Sequence, residues 1–285
     1  MTGQMRDKRR AMAEETLLIL DRGWYDVPAA GRVSIADDLA RSVAGTRLWS
    51  PDESRAALDE LGPGAPGGAV TGGVATTIEV TNETSMAAAR RLGDPVGCLN
   101  FASAKSPGGG FRSGAEAQEE SLARASGLYR SLLQAPEFYA FHRSHPDLRY
   151  SDHAIFSPAV PVFRDDDGAL LARPHLVSFV TAAAPNAGAL GPGHPHAGLL
   201  PEVLSARAAK VLAVFWASGS RRLVLGAWGC GVFRNSPDTV AAAFAGHLGP
   251  GGAFHARFEH VTFAVLDRAP GTPTVSAFAA ALRSG

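Results

Sequence analysis

The sequence predicts an α/β fold in which helices cover both faces of a central sheet. Three observations support this class. Strand-like and helical segments alternate along the chain, the strands are continuously apolar, and the composition provides a large core. The chain has 285 residues, of which 46% are hydrophobic. This length allows one large domain or two small ones.

The first part of the chain is expected to be a helical accessory region. The spacing of apolar residues predicts three helices, at residues 8–22, 34–43 and 51–61. Ser34 is placed to cap the second of them. Segment 62–73 (GPGAPGGAVTGG) then reads as a linker. We therefore expect an N-terminal accessory region at 1–70 and a main domain at 71–285.

The main domain alternates between strands and helices. Apolar and β-branched runs predict strands at residues 76–80, 96–101, 176–182, 222–226 and 260–266. Helical spacing predicts helices at residues 85–92, 118–133, 201–218 and 237–247. Because the strands show no alternation of polar and apolar residues, both faces of the sheet should be buried.

Charge and cysteine content narrow the class of function. The chain has 27 Lys and Arg against 27 Asp and Glu, so its formal net charge is zero. Nonspecific electrostatic binding to DNA or to an anionic membrane is therefore not expected. Two cysteines without a paired motif indicate a reducing compartment, and we expect a cytoplasmic protein. No apolar run approaches the roughly 20 residues of a membrane span.

Segment 100–121 (NFASAKSPGGGFRSGAEAQEES) combines a strand end, a glycine triplet and a helix start with two acids. Glycines at 108–110 let the backbone approach a ligand closely, and their N–H groups suit a phosphate. Glu119 and Glu120 point about 100° apart on a helix, so the two carboxyl groups have different surroundings. Each acid could instead serve only to stabilise the helix N-terminus.

A second glycine-rich loop occupies residues 226–237 (GAWGCGVFRNSP). Gly229 and Gly231 flank Cys230, and Phe233 is placed either to stack on a ribose or base, or to pack in the core. Ligands of open α/β sheets bind beyond the carboxyl ends of the strands, so the two loops together could clamp a diphosphate. Neither loop matches GxxxxGK[ST] or GxSxG, which disfavours P-loop NTPases and α/β-hydrolases.

The spacing of these residues resembles a known signature. Three glycines, then the seven residues 111–117, then Gln-Glu-Glu at 118–120 resemble the motif of poly(ADP-ribose) glycohydrolases. NFASAKSPGGGF, TAAAPN and GAWGCGVFRN resemble the bacterial branch of that family. The likeness spans residues 76–285. It implies a macrodomain fold with three α/β/α layers and a mixed central sheet.

The resemblance also implies an activity and a set of residues. The implied reaction is hydrolysis of the ribose–ribose O-glycosidic bond of poly(ADP-ribose), which releases ADP-ribose. It assigns the acid/base role to Glu120 and the binding of the ribose at the scissile bond to Glu119. The implied substrate-binding residues are Asn100, Gly108, Gly109, Gly110, Phe111, Gln118, Gly229, Gly231, Val232 and Phe233. Neither a metal nor a cofactor is expected.

Partners and rival functions follow from the same resemblance. It implies poly(ADP-ribose), ADP-ribose and poly(ADP-ribosyl)ated proteins as partners, a place in the DNA damage response, and a monomer. One rival is an ADP-ribose-binding macrodomain module without turnover, against which the Gln-Glu-Glu triplet argues. A second is a mono-ADP-ribosyl hydrolase of the same fold. A third, from another class of protein, is a nucleotide-binding scaffold or capsid-associated interaction protein, for which replacing the acids would affect no reaction.

Overall fold

The computed structural model describes residues 2–28, 30–61 and 76–283. The helices are α1 (Thr2–Arg22), α2 (Ala36–Gly45), α3 (Pro51–Asp59), α4 (Ser85–Leu92), α5 (Gln118–Ala125), α6 (Leu128–Leu132), α7 (Pro136–Ser144), α8 (Ala187–Leu190), α9 (Leu200–Ala217), α10 (Pro237–Leu248) and α11 (Pro273–Arg283). The strands are β1 (Trp24–Val27), β2 (Gly31–Ser34), β3 (Arg47–Trp49), β4 (Thr77–Thr81), β5 (Val96–Phe101), β6 (Ala154–Arg164), β7 (Leu170–Ala182), β8 (Arg222–Leu225) and β9 (His260–Ala264). No helix in the described part of the chain combines the length and apolar character needed to cross a bilayer.

The central sheet is mixed, as predicted. Its seven strands lie in the order β3-β6-β7-β5-β8-β9-β4. The strands from β7 to β4 run parallel to one another, whereas β6 pairs antiparallel with both β7 and β3. Strand β5 lies between β7 and β8, so its carboxyl end opens at the middle of the sheet edge.

Alternate residues of the strands enter two separate cores. Leu223 and Leu225 pack with α9 and α10 on one face, whereas Val224 packs with α4 on the other. In β5, Leu99 packs on the face covered by α9 and α10, and Cys98 packs on the face covered by α4. This explains the continuously apolar strands, because successive side chains point to opposite and equally buried faces. The three-layer α/β/α architecture is therefore confirmed.

The N-terminal region packs onto the main sheet. Strand β3 forms the edge of the sheet, α3 lies against α9, and α1 lies against α5. Trp49 of β3 is 7% exposed and belongs to the core beneath α9. Ser34 does not cap α2, because it ends β2 and Ile35 occupies the N-cap position. The predicted linker at 62–73 lies outside the described residues.

The predicted helix over 118–133 is two helices. Ser126 adopts an extended backbone between α5 and α6 and forms an isolated bridge with Val162. Its hydroxyl donates to the Leu122 carbonyl (2.7 Å) and accepts from the Leu128 amide (3.2 Å). This serine side chain competes with helical hydrogen bonds, and α5 ends at Ala125.

Candidate active site

A cleft of about 1000 Å³ opens where the parallel strands end. The loop after β5 forms one wall, and the loop after β8 forms another. Gly109, Gly110 and Glu120 line the cleft from the first loop and α5, and Gly229 and Gly231 line it from the second. The two glycine-rich loops thus face one shared space, as the topology of open α/β sheets predicts.

The glycine triplet turns tightly over the acid pair. Gly108 and Gly109 adopt φ values of 68° and 56°, in the left-handed region that favours glycine. A Cβ at Gly109 would overlap the carboxylate of Glu120 and lie 3.2 Å from the carboxylate of Glu119. Side chains at this position are therefore excluded by both backbone conformation and space.

Glu120 presents its carboxylate to the cleft. It lies in the first turn of α5, is half-buried and lines the cavity. Its Oε1 accepts a hydrogen bond from the amide of Gly110 (2.9 Å). This bond fixes one oxygen against the glycine turn while the side chain faces the cavity. A carboxyl so placed is suited to exchange a proton with a bound ligand.

Glu119 points into the protein and has structural partners. Its side chain is 2% exposed, with Oε1 accepting from Asn100 Nδ2 (3.2 Å) and Oε2 from the Ser103 amide (2.6 Å). Burial raises the pKa of Glu119 to about 8, and the negative charge of Glu120 adds to the shift. The hydrogen bonds from Asn100 and Ser103 act in the opposite direction. At neutral pH this carboxyl is therefore mostly protonated.

The side chains of Asn100 and Gln118 link the start of α5 to strand β5. Asn100 is fully buried at the end of β5 and also donates to Thr181 Oγ1 (3.1 Å). Gln118 donates to the Leu99 carbonyl (2.7 Å) and accepts from the Phe101 amide (2.9 Å), which extends the hydrogen bonding of β5. Both side chains thus fix the start of α5 against the strand.

Phe111 departs from its expected role. Its side chain is fully buried, and its ring lies 4.8 Å from the ring of Tyr129. It packs with Ala13 of α1 and Ala123 of α5, so it anchors the loop after the glycine triplet. The burial of its ring excludes a direct side-chain contact with a ligand in the cleft.

In the loop after β8, as in the glycine triplet, both backbone conformation and space require glycine at one position. Gly229 has φ 72°, and a Cβ there would lie 2.5 Å from the Ala184 side chain. Phe233 is half-buried at the cleft wall, with its ring 5.6 Å from that of Tyr150. Val232 is 77% exposed and also lines the cleft.

The thiol of Cys230 lies within this second loop. It packs against the core beneath α9 and α10, and burial raises its pKa to about 12. The side chain is free rather than disulfide-bonded. Cys230 therefore acts as a small, uncharged residue of the turn.

Two supporting residues were not found from the sequence. Arg207 of α9, 3% exposed, donates to the carbonyls of Arg149 (2.8 Å) and Ala183 (2.9 Å) and to Asp152 Oδ1 (2.7 Å). Asn235 donates to the carbonyls of Pro185 and Gly229. An arginine within a mostly apolar helix was the available signal for Arg207, because such a charge is rarely buried without partners.

The comparisons with known proteins agree with this geometry. The profile of the microbial-type PARG catalytic domain matches residues 13–165. The crystal structure of poly(ADP-ribose) glycohydrolase from Thermomonospora curvata is 55% identical, with a TM-score of 0.91 over 96% of this chain and 99% of that chain. The same enzyme bound to the inhibitor ADP-HPD is 54% identical, with a TM-score of 0.88 over 96% and 99% of the two chains.

A second bacterial enzyme gives the same result. Poly(ADP-ribose) glycohydrolase from Deinococcus radiodurans in complex with ADP-ribose is 47% identical, with a TM-score of 0.78 over 86% of this chain and 97% of that chain. Among curated proteins, no match to the sequence was found. The family profile matches more than half of the chain. The sequence identity to these solved structures extends over most of the chain. The chain therefore belongs to the microbial-type poly(ADP-ribose) glycohydrolase family.

Proposed function

We propose that this chain hydrolyses the ribose–ribose O-glycosidic bond of poly(ADP-ribose) and releases ADP-ribose, with Glu120 as general acid and base. The observation that carries the proposal is the half-buried Glu120 carboxylate facing a cleft shared by two glycine-rich turns. The turns supply backbone N–H groups for a diphosphate. Glu120 then lies where the glycosidic oxygen of the adjoining ribose is expected.

The reaction needs one carboxyl that acts twice. Protonated Glu120 donates its proton to the departing ribose oxygen as the bond from the anomeric carbon to that oxygen breaks. The transition state has oxocarbenium character, which the nearby carboxyl groups and hydrogen bonds stabilise. The Glu120 carboxylate then accepts a proton from water as the water oxygen bonds to the anomeric carbon. The products are free ADP-ribose and a shortened polymer.

Glu119 supports the same reaction from its buried position. Its pKa of about 8 keeps it mostly neutral at pH 7, which limits the negative charge beside the ligand diphosphate. Its hydrogen bonds from Asn100 and Ser103 hold the strand end and the loop in one arrangement. We propose that Glu119 also positions the ribose at the scissile bond, whereas Gly108, Gly110 and Phe233 enclose the ligand.

The experiment compares Glu120→Gln with the native chain on purified poly(ADP-ribose). Loss of the acid should lower the rate of ADP-ribose release by roughly 10²- to 10⁴-fold, the range of general acid–base catalysis. Binding of ADP-ribose, measured by titration calorimetry, should persist because the turns are intact. Glu137→Gln, an exposed acid on α7, is the matched control and should keep full activity.

Two rival functions predict other outcomes. A binding module without turnover would bind ADP-ribose and release nothing from the polymer, with or without Glu120. A mono-ADP-ribosyl hydrolase would act on singly modified protein and leave the ribose–ribose bond intact. Undiminished hydrolysis by Glu120→Gln would contradict the assignment of the acid.

The setting of the reaction is part of the proposal. We propose that the polymer is carried by poly(ADP-ribosyl)ated proteins and that the enzyme acts in the cytoplasm, within the DNA damage response. The two free thiols, Cys98 and Cys230, suit a reducing compartment. A monomer suffices, because the cleft is built from residues of a single chain.

A further inference from the structure

The cleft that contains Glu120 is also lined by Arg124, Arg164 and residues of α1. Arg124 lies one turn after Glu120 on α5, so both side chains occupy the same face of that helix. Opposite this face, α1 contributes Lys8, Arg9 and Met12 to the wall of the same cavity. We define the outer lobe by Lys8, Arg9, Met12, Arg124 and Arg164, all of which line the cavity.

Two buried guanidinium groups form the floor of the outer lobe. Arg124 is 5% exposed and donates to the Ala115 carbonyl (2.7 Å). Arg164 is 3% exposed and donates to the Gly168 carbonyl (2.8 Å) and to Glu15 (2.9 Å). The Nε of Arg164 is buried and has no hydrogen-bond partner among the described residues. Buried charges of this kind are costly, and here the carbonyl and carboxylate partners offset part of that cost.

The rim of the outer lobe carries two further cations. Lys8 is exposed, and its ammonium group forms no hydrogen bond or ion pair within the described residues. Arg9 pairs with Glu116 (2.7 Å) and donates to the Gly114 carbonyl (2.8 Å). The unpaired charge of Lys8 therefore remains available to an anion that enters the lobe.

Acidic residues confine the anion to the side of α1 and α5. Asp165, Asp166 and Asp167, which follow Arg164 in the turn between β6 and β7, also line the cavity. Asp165 accepts from the Ala169 amide (2.8 Å) and Asp166 accepts from the Thr84 hydroxyl (2.7 Å). Both carboxylates have partners, but their negative charge still repels a phosphate. A phosphate should thus lie against Lys8 and the arginines.

We propose that the outer lobe binds the ADP-ribose unit on the leaving side of the scissile bond, through the diphosphate of that unit. This inference rests on the proposed function. The unit to be released lies between the turns at Gly109 and Gly231, on one side of Glu120. The rest of the polymer must leave from the other side of the acid and carries a diphosphate in each repeat. Lys8 and Arg124, which pair with no carboxylate among the described residues, complement that charge, whereas Arg9 and Arg164 are already paired with Glu116 and Glu15.

The test compares two substrates that share the released unit. One is poly(ADP-ribose), and the other is ADP-ribose with a small aryl leaving group on the anomeric carbon. Only the polymer has a diphosphate on the leaving side. Lys8→Ala should lower the ratio of kcat/KM for polymer over aryl substrate by about fivefold, the upper range for one exposed charge pair. Lys8→Glu should lower the ratio further, and added salt should shrink both effects.

Arg55→Ala is the matched control, because Arg55 is an exposed cation on α3 that does not line the cavity. It should leave the ratio unchanged. An unchanged ratio for Lys8→Glu, or equal losses on both substrates, would overturn the proposed subsite. A native chain inactive on both substrates would instead overturn the proposed function, and the subsite with it. Lys8 is exposed, so thermal unfolding should confirm that both variants remain folded.

Discussion

Adjacent carboxyl groups at the start of α5 occupy different surroundings. Glu120 accepts from the Gly110 amide and faces the cleft, whereas Glu119 is buried against Asn100 and Ser103. The first turn of a helix points neighbouring side chains in different directions. This geometry leaves one carboxyl facing the cleft and buries the other against the end of β5.

Glu119→Gln tests the buried carboxyl through the pH dependence of folding. A folded pKa of about 8 lies above the ordinary value of 4.5, so the folded state binds the proton more tightly. The stability that Glu119 contributes is fully present below pH 4.5 and is lost as the pH rises through 8. The free energy of unfolding of the native chain should therefore fall relative to Glu119→Gln between those values. Urea unfolding at pH 5 and pH 8 measures this, and a constant difference between the two proteins would contradict it.

The placement of the acids and glycines at one cleft was predictable, because they lie in short motifs at the ends of neighbouring strands. Arg207 and Asn235 were not predictable in the same way. Their hydrogen bonds go to backbone carbonyls of distant segments, and any residue can supply such a carbonyl. Phe111 was misassigned because a motif shows which residues are near the ligand, whereas packing decides which of them face it.

Helix α1 supports the catalytic loop from outside. Gly114, in the loop between the glycine triplet and α5, has φ 77°, and a Cβ there would lie 2.9 Å from Arg6 Cγ and 3.0 Å from Arg10 Cγ. Arg6 and Arg9 also donate to the carbonyls of Ser113 and Gly114. The first helix of the chain and the loop before Glu120 therefore fit each other closely.

Gly114→Ala should separate α1 from this loop. A left-handed backbone at a residue other than glycine costs roughly 1–3 kcal/mol, so the free energy of unfolding should fall by that amount. Displacement of the loop should also lower kcat/KM on polymer by about tenfold or more, since small misplacements of catalytic groups are costly. Chemical denaturation and polymer hydrolysis measure the two effects.

Gly246→Ala is the control for that substitution. Gly246 lies exposed in α10 with nothing within 4 Å of its added Cβ. Alanine there should raise stability by roughly 0.5–1 kcal/mol and leave hydrolysis unchanged. Similar losses in both variants would show that the fit of Gly114 to α1 is unimportant.

At the level of elements, periodic segments were predictable and irregular ones were not. Helix α4 and strand β5 have the predicted bounds, because each is a short apolar run between clear turn residues. Strand β6 was missed because it carries two prolines and a register shift between Ser157 and Val160. The break at Ser126 was missed because the hydroxyl bonds that favour it are joined by a backbone bridge to Val162, which is far along the chain.

Across the whole molecule, the first 61 residues complete the sheet and its core. Strand β3 pairs with β6 at the sheet edge, and α3 covers α9. The helical content of this region was predictable from apolar spacing. Its integration into the sheet was not, because a three-residue edge strand carries too little pattern to be recognised.

Trp49→Ala tests how far the N-terminal region supports the fold. Loss of this buried ring should lower the free energy of unfolding by roughly 3–5 kcal/mol, the usual cost of removing a core tryptophan. Trp24→Ala, a half-exposed residue of β1, should cost less. Comparable small losses for both would indicate that residues 71–285 fold with little help from this region, and a chain beginning at residue 71 would then be stable.

Because the thiol of Cys230 is protonated at neutral pH, we expect this residue to resist oxidation and alkylation. With a pKa of about 12, its thiolate fraction at pH 7 is on the order of one in 100,000. Peroxides and alkylating reagents attack the thiolate, so the turn after β8 should survive oxidant doses that modify exposed, acidic cysteines. After hydrogen peroxide treatment, intact-mass spectrometry should find Cys230 unmodified and polymer hydrolysis undiminished. Rapid sulfenic acid formation at this residue would show that the turn opens to solvent more readily than its packing implies.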